Sequence, residues 1–267
     1  MRKIFYFFLL LFAIVSSSNA QNVVPFEDFN YYFRTFENDN FRQLEFQRIK
    51  SYQAGDEFVA YIDTRGNLRV YDGKERQDIS NMNVTYHISD HLMAYNIGPT
   101  LNMWDAGKLQ TLTYFANNYE VKDSLIVFED TRFNTVSVYW NKQIYPLYQV
   151  TGELYMPVAI GDNVIAFKDN GNFYKVFWRG QIFDLGVWNS TIEFEAGCDM
   201  ITFNDPTTRT YAVFENGQFL DVEQFYMKKY KAGRGFIVYE DLNSNLMYYK
   251  DGDKFQISNF SASFWEV

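Results

Sequence analysis

Apolar residues along this chain come in short runs, and the runs recur. Seven times an aromatic that closes such a run is followed eight residues later by a small aliphatic residue: Phe36/Leu44, Tyr71/Ile79, Trp104/Leu112, Tyr139/Leu147, Phe177/Leu185, Phe214/Val222 and Tyr249/Ile257. A second aromatic precedes each pair by nine to eleven residues, at Phe26, Tyr61, Tyr95, Phe128, Phe167, Phe203 and Tyr239. The period is about 35 residues, within the range of repeat architectures. One repeat, residues 190–222, shows the content of all of them. Thr191 to Ala196 alternates, Met200 to Phe203 is an apolar run, Tyr211 to Phe214 is a third segment and Gln218 to Val222 a fourth. Four short strands per repeat are predicted, and no stretch sustains the 3.6-residue period of a helix.

The punctuation between strands also repeats. Asn216-Gly217, Asp72-Gly73, Ala106-Gly107, Arg179-Gly180 and Asp251-Gly252 fall between the third and fourth segments. Asn-Gly there is a hairpin signal, because both turn positions need positive φ. Gly55-Asp56, Ser89-Asp90, Gly161-Asp162 and Gly233-Arg234 fall between the first and second. Asp28, Asp63, Asp130, Asp169, Asp205 and Asp241 begin the turn between the second and third, where an Asp side chain can accept hydrogen bonds from its own turn. Calcium loops need oxygen donors at alternate positions ending in a Glu, and these segments lack that series.

Four antiparallel strands repeated seven times predict an all-β, seven-bladed β-propeller of four-stranded blades. The ends sharpen the expectation. Phe26-Glu27-Asp28-Phe29-Asn30 matches Tyr239-Glu240-Asp241-Leu242-Asn243, so the first repeat starts at its second strand. Trp265-Glu266-Val267 matches Tyr119-Glu120-Val121 of an internal first strand. Residues 261–267 are therefore expected to complete the N-terminal blade and close the ring, hiding exposed strand edges. Over residues 22–267 the chain resembles the seven-bladed β-propeller superfamily of WD40-like, YVTN-like and TolB-like repeats. A Trp-Asp dipeptide occurs at Trp104-Asp105 without the Gly-His partner of WD40 blades, and the period is shorter than theirs. The resemblance implies a binding platform and assigns no individual residue.

Residues 1–20 are expected to be a cleaved signal peptide: Arg2 and Lys3 precede an apolar run from Ile4 to Val15, and Ser18-Asn19-Ala20 supplies small residues at the cleavage site. That run is too short to cross a bilayer as a helix. Residues 21–267 then form one domain. Without residues 1–20 the chain carries 22 basic and 33 acidic side chains, a net charge of −11. This argues against nucleic acid and anionic lipid as partners, and no membrane insertion is expected after cleavage. Cys198 is the only cysteine, so no internal disulfide is available to an exported chain. Aromatics form 20% of the residues and must largely pack on one another.

Aligning the first strands on their turns gives one polar column of Gln53, His87, Glu120, Ala159, Glu195, Lys231 and Glu266, and a second that includes Glu193 and Lys229. Tyr52, Tyr86, Tyr119, Phe194 and Tyr230 alternate with them, on the opposite strand face. The polar columns are candidate channel-lining residues, either binding a small ligand or ion, or simply wetted, with Glu193/Glu195 and Lys229/Lys231 as an ion-pair network between neighbouring blades. Glu193 and Glu195 as an acid–base pair would need separated faces that an i, i+2 spacing does not give. His87 and His91 lack the ligand pattern of a metal site, and Cys198 lacks an adjacent base. No cofactor and no catalytic residue is expected. The expected function is an exported, non-catalytic protein-interaction scaffold of the bacterial cell envelope, periplasmic or secreted in a Gram-negative cell, with another envelope protein as partner. Tyr145, Tyr148, Tyr155 and Met156, in the longest repeat, are the candidate interface. The alternative is a carbohydrate-binding or polysaccharide-active protein, to be distinguished by whether Trp140, Trp178 and Trp188 are exposed together.

Overall fold

A computed structural model describes residues 23–82, 84–188, 190–260, 262 and 265–267. The expected signal segment, residues 1–20, lies outside them. The described residues form 27 strands in seven antiparallel sheets, six of four strands and the first of three. In the four-stranded sheets chain order is also spatial order, and the first strands are Ser51–Ala54, Thr85–Ile88, Ala116–Val121, Ala159–Ile160, Phe194–Ala196 and Tyr230–Ala232. Neighbouring sheets meet through first strands such as Ala159–Ile160, Phe194–Ala196 and Tyr230–Ala232, together with the second strands beside them. The pairing of the last two strands slips at one comparable place in all seven sheets, as at Tyr211/Ala212 and Leu246/Met247, a bulge that increases local twist.

The predicted turn chemistry is present. Asn216 and Gly217 take φ of 49° and 77°, the two positive values that a two-residue hairpin turn of this kind requires. All six turn Asp side chains accept backbone N–H bonds from residues two to four positions on. Asp63 Oδ1, for example, receives the N–H of Arg65 at 2.8 Å and of Asn67 at 2.9 Å.

The core lies between sheets. Six buried clusters occupy the six junctions from first/second to sixth/seventh, and none of them spans the seventh and first sheets. Polar tips reinforce these junctions. Tyr249 and Tyr239, in the seventh sheet, donate their hydroxyls to Glu215 and Glu223 of the sixth, both at 2.5 Å. Tyr71 and Tyr61, in the second sheet, do the same to Glu37 and Glu45 of the first. Burial and the Glu37 bond push the Tyr71 hydroxyl up to about 12.

Among the described residues, the ring closure expected from the two chain ends is not formed. Of residues 261–267, only 262 and 265–267 are described, and none lies in a strand. Trp265 instead donates its indole N–H to Glu240 of the seventh sheet at 3.3 Å, and Val267 lies against Gly233. The edge of the first sheet, Val24–Glu27, pairs only with Phe33–Glu37, and Pro25 in its middle has no N–H to offer a further strand. Tyr52, in the first strand of the second sheet, is 45% exposed, whereas its counterpart Tyr86 is buried.

Candidate functional site

Because strands alternate in direction, each sheet has two unlike ends. At one, the hub end, lie the turns linking first to second and third to fourth strands. At the other, the loop end, lie the turns linking second to third strands and the connections to the next sheet.

The first-to-second turns of the hub end touch one another. Glu57 N–H reaches the Asp90 carbonyl at 3.3 Å, Asp90 N–H the Asp123 carboxylate at 3.4 Å, and Asp123 N–H the Asp162 carboxylate at 3.1 Å. Asp162 N–H then reaches the Gly197 carbonyl at 3.1 Å, and Cys198 N–H the Gly233 carbonyl at 3.0 Å. The glycines are steric requirements here. A Cβ on Gly161 would lie 2.1 Å from the Gly197 carbonyl oxygen, and one on Gly197 2.1 Å from that of Gly233. Arg234 then spans the centre, its Nη2 at 3.0 Å from Asp90 and 2.9 Å from Asp123. Asp123 is nonetheless shifted upward, first by burial and then by the charge of Asp162, against the Asp90 backbone N–H bond and the Arg234 charge, which lower it. Burial and the neighbouring carboxylates of Asp199 and Asp162 also push the Cys198 thiol up, with Arg234 opposing.

The predicted inner columns meet only in part. Glu193, Glu195, Lys229 and Lys231 line one cleft of about 360 Å³, with Tyr230 and Trp265. Lys231 pairs with Glu195 across the sheet junction at 2.7 Å, as expected of an ion-pair network. Lys229 does not pair with Glu193. It bonds Glu240 of its own sheet at 3.1 Å, because Glu240 also receives the Trp265 indole and lies within reach of both. Tyr230 donates to the Glu193 carbonyl at 2.9 Å, and burial with the two glutamates pushes its hydroxyl up to about 12. Gln53, His87 and Glu120 are elsewhere. Gln53 bridges the next strand by bonding the Tyr86 carbonyl and the Ile88 N–H, His87 packs edge-on against Tyr119, and Glu120 pairs with Lys122 at 2.9 Å. Glu266 is exposed at the chain end. Among the described residues, no group of three or more His, Cys, Asp or Glu side chains could hold a metal ion.

The expected interface is mostly internal. Tyr148 is buried, stacked between Tyr155 at 5.2 Å and Phe167 at 5.6 Å, with its hydroxyl on the Tyr155 carbonyl. Tyr145 and Met156 pack against the same fourth/fifth junction, which leaves Tyr155 as the exposed member. The extra residues of that repeat fill a wide junction.

Exposed aromatics concentrate at the loop end. Phe29, Tyr31 and Phe46 stand there on the first sheet, and Tyr114, Phe115 and Phe133 on the third and fourth. Trp188, Phe225 and Tyr226 continue the series on the fifth and sixth. The other exposed aromatics outside this end, Phe41, Tyr52 and Phe255, lie within strands, and none lies in a described hub-end turn. Trp140 and Trp178 are not part of this surface: their indole N–H groups bond Asn163 and Asp199 of the following sheets.

A family model described as a 10-bladed beta propeller domain matches residues 17–267. The chain belongs to that family. As a member of the 10-bladed beta propeller domain family it is a β-propeller protein, and the expectation of a seven-bladed closed ring is overturned both by the family's blade number and by the unjoined first and seventh sheets. The repeat count read from the sequence matches the seven described sheets. The error was to infer closure from resemblance between the ends. Solved structures are similar at low identity. They include the CRINKLY WD40 ectodomain of the Arabidopsis thaliana receptor kinase ACR4 (8% identity, 89% of this chain and 97% of that one, TM-score 0.39). Kluyveromyces lactis Hsv2p gives 12% identity, the same shares of each chain, and a TM-score of 0.37. PorZ, a surface component of the type-IX secretion system of Porphyromonas gingivalis, gives 8% identity over 88% of this chain but 36% of its own, with a TM-score of 0.35. Likenesses this slight carry nothing about what this family member binds. A comparison with curated proteins finds no match.

Sequence reasoning placed the inner turns of this propeller correctly and missed that they, and not the strand columns, make the central backbone contacts between sheets. The signal was available in the glycines at positions 161, 197 and 233, one repeat apart, and at 55, three repeats earlier, where a hairpin alone would accept other residues.

Proposed function

We propose that this propeller is an exported, non-catalytic protein-interaction scaffold of the bacterial cell envelope, acting in the periplasm or outside the cell. One observation carries the reading: exposed aromatics gather at the loop end, while the first-to-second turns of the hub end bond one another between sheets. A stable repeat frame with a ring-rich, solvent-facing end suits recognition of another protein, since tyrosine, tryptophan and arginine dominate binding energy at protein interfaces. The charged inner residues act as ties between strands, which gives them a structural role without chemistry. The basic n-region and apolar run of residues 2–15 support export.

The test joins both halves of the proposal. A carboxy-terminal alkaline phosphatase fusion is expected to be active outside the cytoplasm and inactive once residues 4–15 are deleted. Affinity capture from envelope extracts is expected to recover a partner that is lost when Phe29, Phe46 and Phe133 are replaced together by Ala. Cytoplasmic retention of the fusion, or capture unaffected by the triple substitution, would overturn the reading.

One observation favours a second reading. Phe173 and Trp188 face each other as register partners and are 41% and 57% exposed, a pair of rings on which a sugar could stack. Glycan-array binding abolished by Trp188→Ala would move the assignment to carbohydrate recognition.

A further inference from the structure

Five arginines lie over aromatic rings, and four of them also direct their guanidinium N–H groups to an acceptor within the protein. Arg34 pairs with Asp28, Arg48 with Glu27 and Arg179 with Asp199, while Arg42 bonds the Tyr71 hydroxyl and the Lys74 carbonyl. Arg132 is the exception. It lies 5.5 Å from the centre of the Phe115 ring and 5.3 Å from that of Phe133, and among the described residues its side chain has no ion-pair or hydrogen-bond partner. The clamp is built by the backbone: Thr131 donates its N–H and its hydroxyl to the Phe115 carbonyl at 2.9 and 3.0 Å, and Asp130 fixes the turn by accepting the Arg132 N–H at 2.9 Å. Tyr114 beside it is 65% exposed and Phe133 58%.

The first sheet shows the same chemistry completed. There Arg48 lies 5.1 Å over Tyr31, and Glu27 lies 3.5 Å from its guanidinium. At Arg132 the ring platform is present and the carboxylate is not. We propose that Arg132, held between Phe115 and Phe133, is a docking point for an aspartate or glutamate side chain of a partner protein, with Tyr114 and Phe133 covering an apolar residue next to it. A guanidinium already oriented by two rings loses little freedom on binding, and its planar fork matches a carboxylate with two parallel bonds. The inference deepens the interaction-scaffold reading and rests on it.

The test selects random dodecapeptides displayed on phage against the whole folded protein. The pool is expected to be rich in Asp or Glu beside an apolar residue, and synthetic peptides with those acids changed to Asn or Gln are expected to bind at least about tenfold more weakly. Arg132→Glu should cause the same loss without lowering the melting temperature. Arg132→Lys, which keeps the charge but not the flat stacked fork, should lie between. Arg65→Glu is the control. It occupies the equivalent place in Asp63-Thr64-Arg65, which repeats as Asp130-Thr131-Arg132, and should change binding by less than about twofold. A pool without acidic enrichment, or binding that survives Arg132→Glu, overturns the proposal. So does Arg132-dependent binding of polygalacturonate or phosphatidylglycerol vesicles tighter than that of any peptide. Capture from envelope extracts separates the two levels. A partner kept by Arg132→Glu counts against this surface alone, and no partner for either protein counts against the scaffold reading.

Discussion

The two ends of the same sheets are built from the same residue types and use them in opposite ways. At the loop end, Asp63, Asp169 and Asp241 each turn inward on their own turn, accepting backbone N–H groups within a few residues. At the hub end, Asp90, Asp123 and Asp162 face the turns of other sheets and each other. Gly55, Gly161 and Gly197 at the hub are held against backbone 2.1–2.3 Å from where a side chain would begin, whereas Gly152 at the loop end has open space. Most exposed aromatics stand at the loop end, and aromatics near the hub end, such as Trp140 and Trp178, bond the turns of the next sheet. The hub thus fixes how sheets meet, and the loop end is free to carry surface. Local turns can vary without disturbing the frame, and hub turns cannot.

The sharpest way to break this comparison is one substitution made at both ends. Gly197→Ala puts a methyl group into the Gly233 carbonyl, so two sheets must separate or the turn must distort. A loss of about 3 kcal/mol is expected, at the upper end of overpacking costs. Gly152→Ala, in open space and without positive φ, should leave stability unchanged or raise it by about 0.5 kcal/mol. Urea melts of the two variants decide it. Equal effects would mean that the hub contacts are not what hold the sheets.

The acids offer a second contrast, this time in sign. For Asp63, burial alone would raise the pKa, but the Asn67 backbone and side-chain donors, with Arg69, hold it below the model-peptide value of 3.8. A depressed carboxylate contributes stability that is complete above its unfolded pKa and lost as pH falls through the folded one. Asp63→Asn should therefore cost about 1 kcal/mol at pH 7, and the gap to the parent protein should close on acidification below pH 4. Asp123 is raised, mainly by burial and by Asp162. Its contribution is complete below the unfolded value and is lost as pH rises through the folded one, so Asp123→Asn should gain on the parent as pH rises. Denaturation series from pH 3 to 7 give both signs in one experiment, and parallel curves for the two variants would remove the distinction.

Most of the frame was legible because it is written in residues with one physical meaning. Positive-φ pairs such as Asn216-Gly217 and turn-forming Asp residues fix strand ends wherever they occur. The i, i+8 aromatic–aliphatic pair records a bulged pairing of the last two strands repeated in every sheet. What could not be read was which like-looking residues touch. Tyr148 and Tyr114 are both loop-end tyrosines, yet one is stacked in a junction and the other faces solvent, because only the fourth repeat has the added residues that cover it. Residues 265–267 look like a first strand and lie where one would follow the seventh sheet, but no ladder joins them to Pro25 and its neighbours. An exact internal echo also went unread. Glu37, Glu45, Tyr61 and Tyr71 recur 178 positions on as Glu215, Glu223, Tyr239 and Tyr249, and each pair of junctions forms the same hydroxyl–carboxylate bonds.

Arg234 allows the hub to be weakened without touching its sterics. Its guanidinium is exposed, so its two ion pairs are screened by solvent and salt. Arg234→Gln should lower the melting temperature modestly at low ionic strength, by leaving Asp90, Asp123 and Asp162 to repel one another. In 0.5 M salt most of that deficit should disappear. A deficit insensitive to salt would place the role of Arg234 in packing, and the hub would then be a steric device only.

The smallest effect on stability is expected where the largest effect on binding is proposed. Phe133→Ala at the loop end removes a ring that is mostly in solvent, so the melting curve should move by less than about 0.5 kcal/mol. The same truncation at the fully buried Phe203, in the fifth/sixth junction, should cost about 3–5 kcal/mol. If the ring of Phe133 is a recognition element, its loss weakens partner binding while the fold is unaffected. That combination separates display from packing. A marked stability loss on Phe133→Ala would show that the ring and Arg132 brace the fourth sheet, and the loop end would then be frame like the rest.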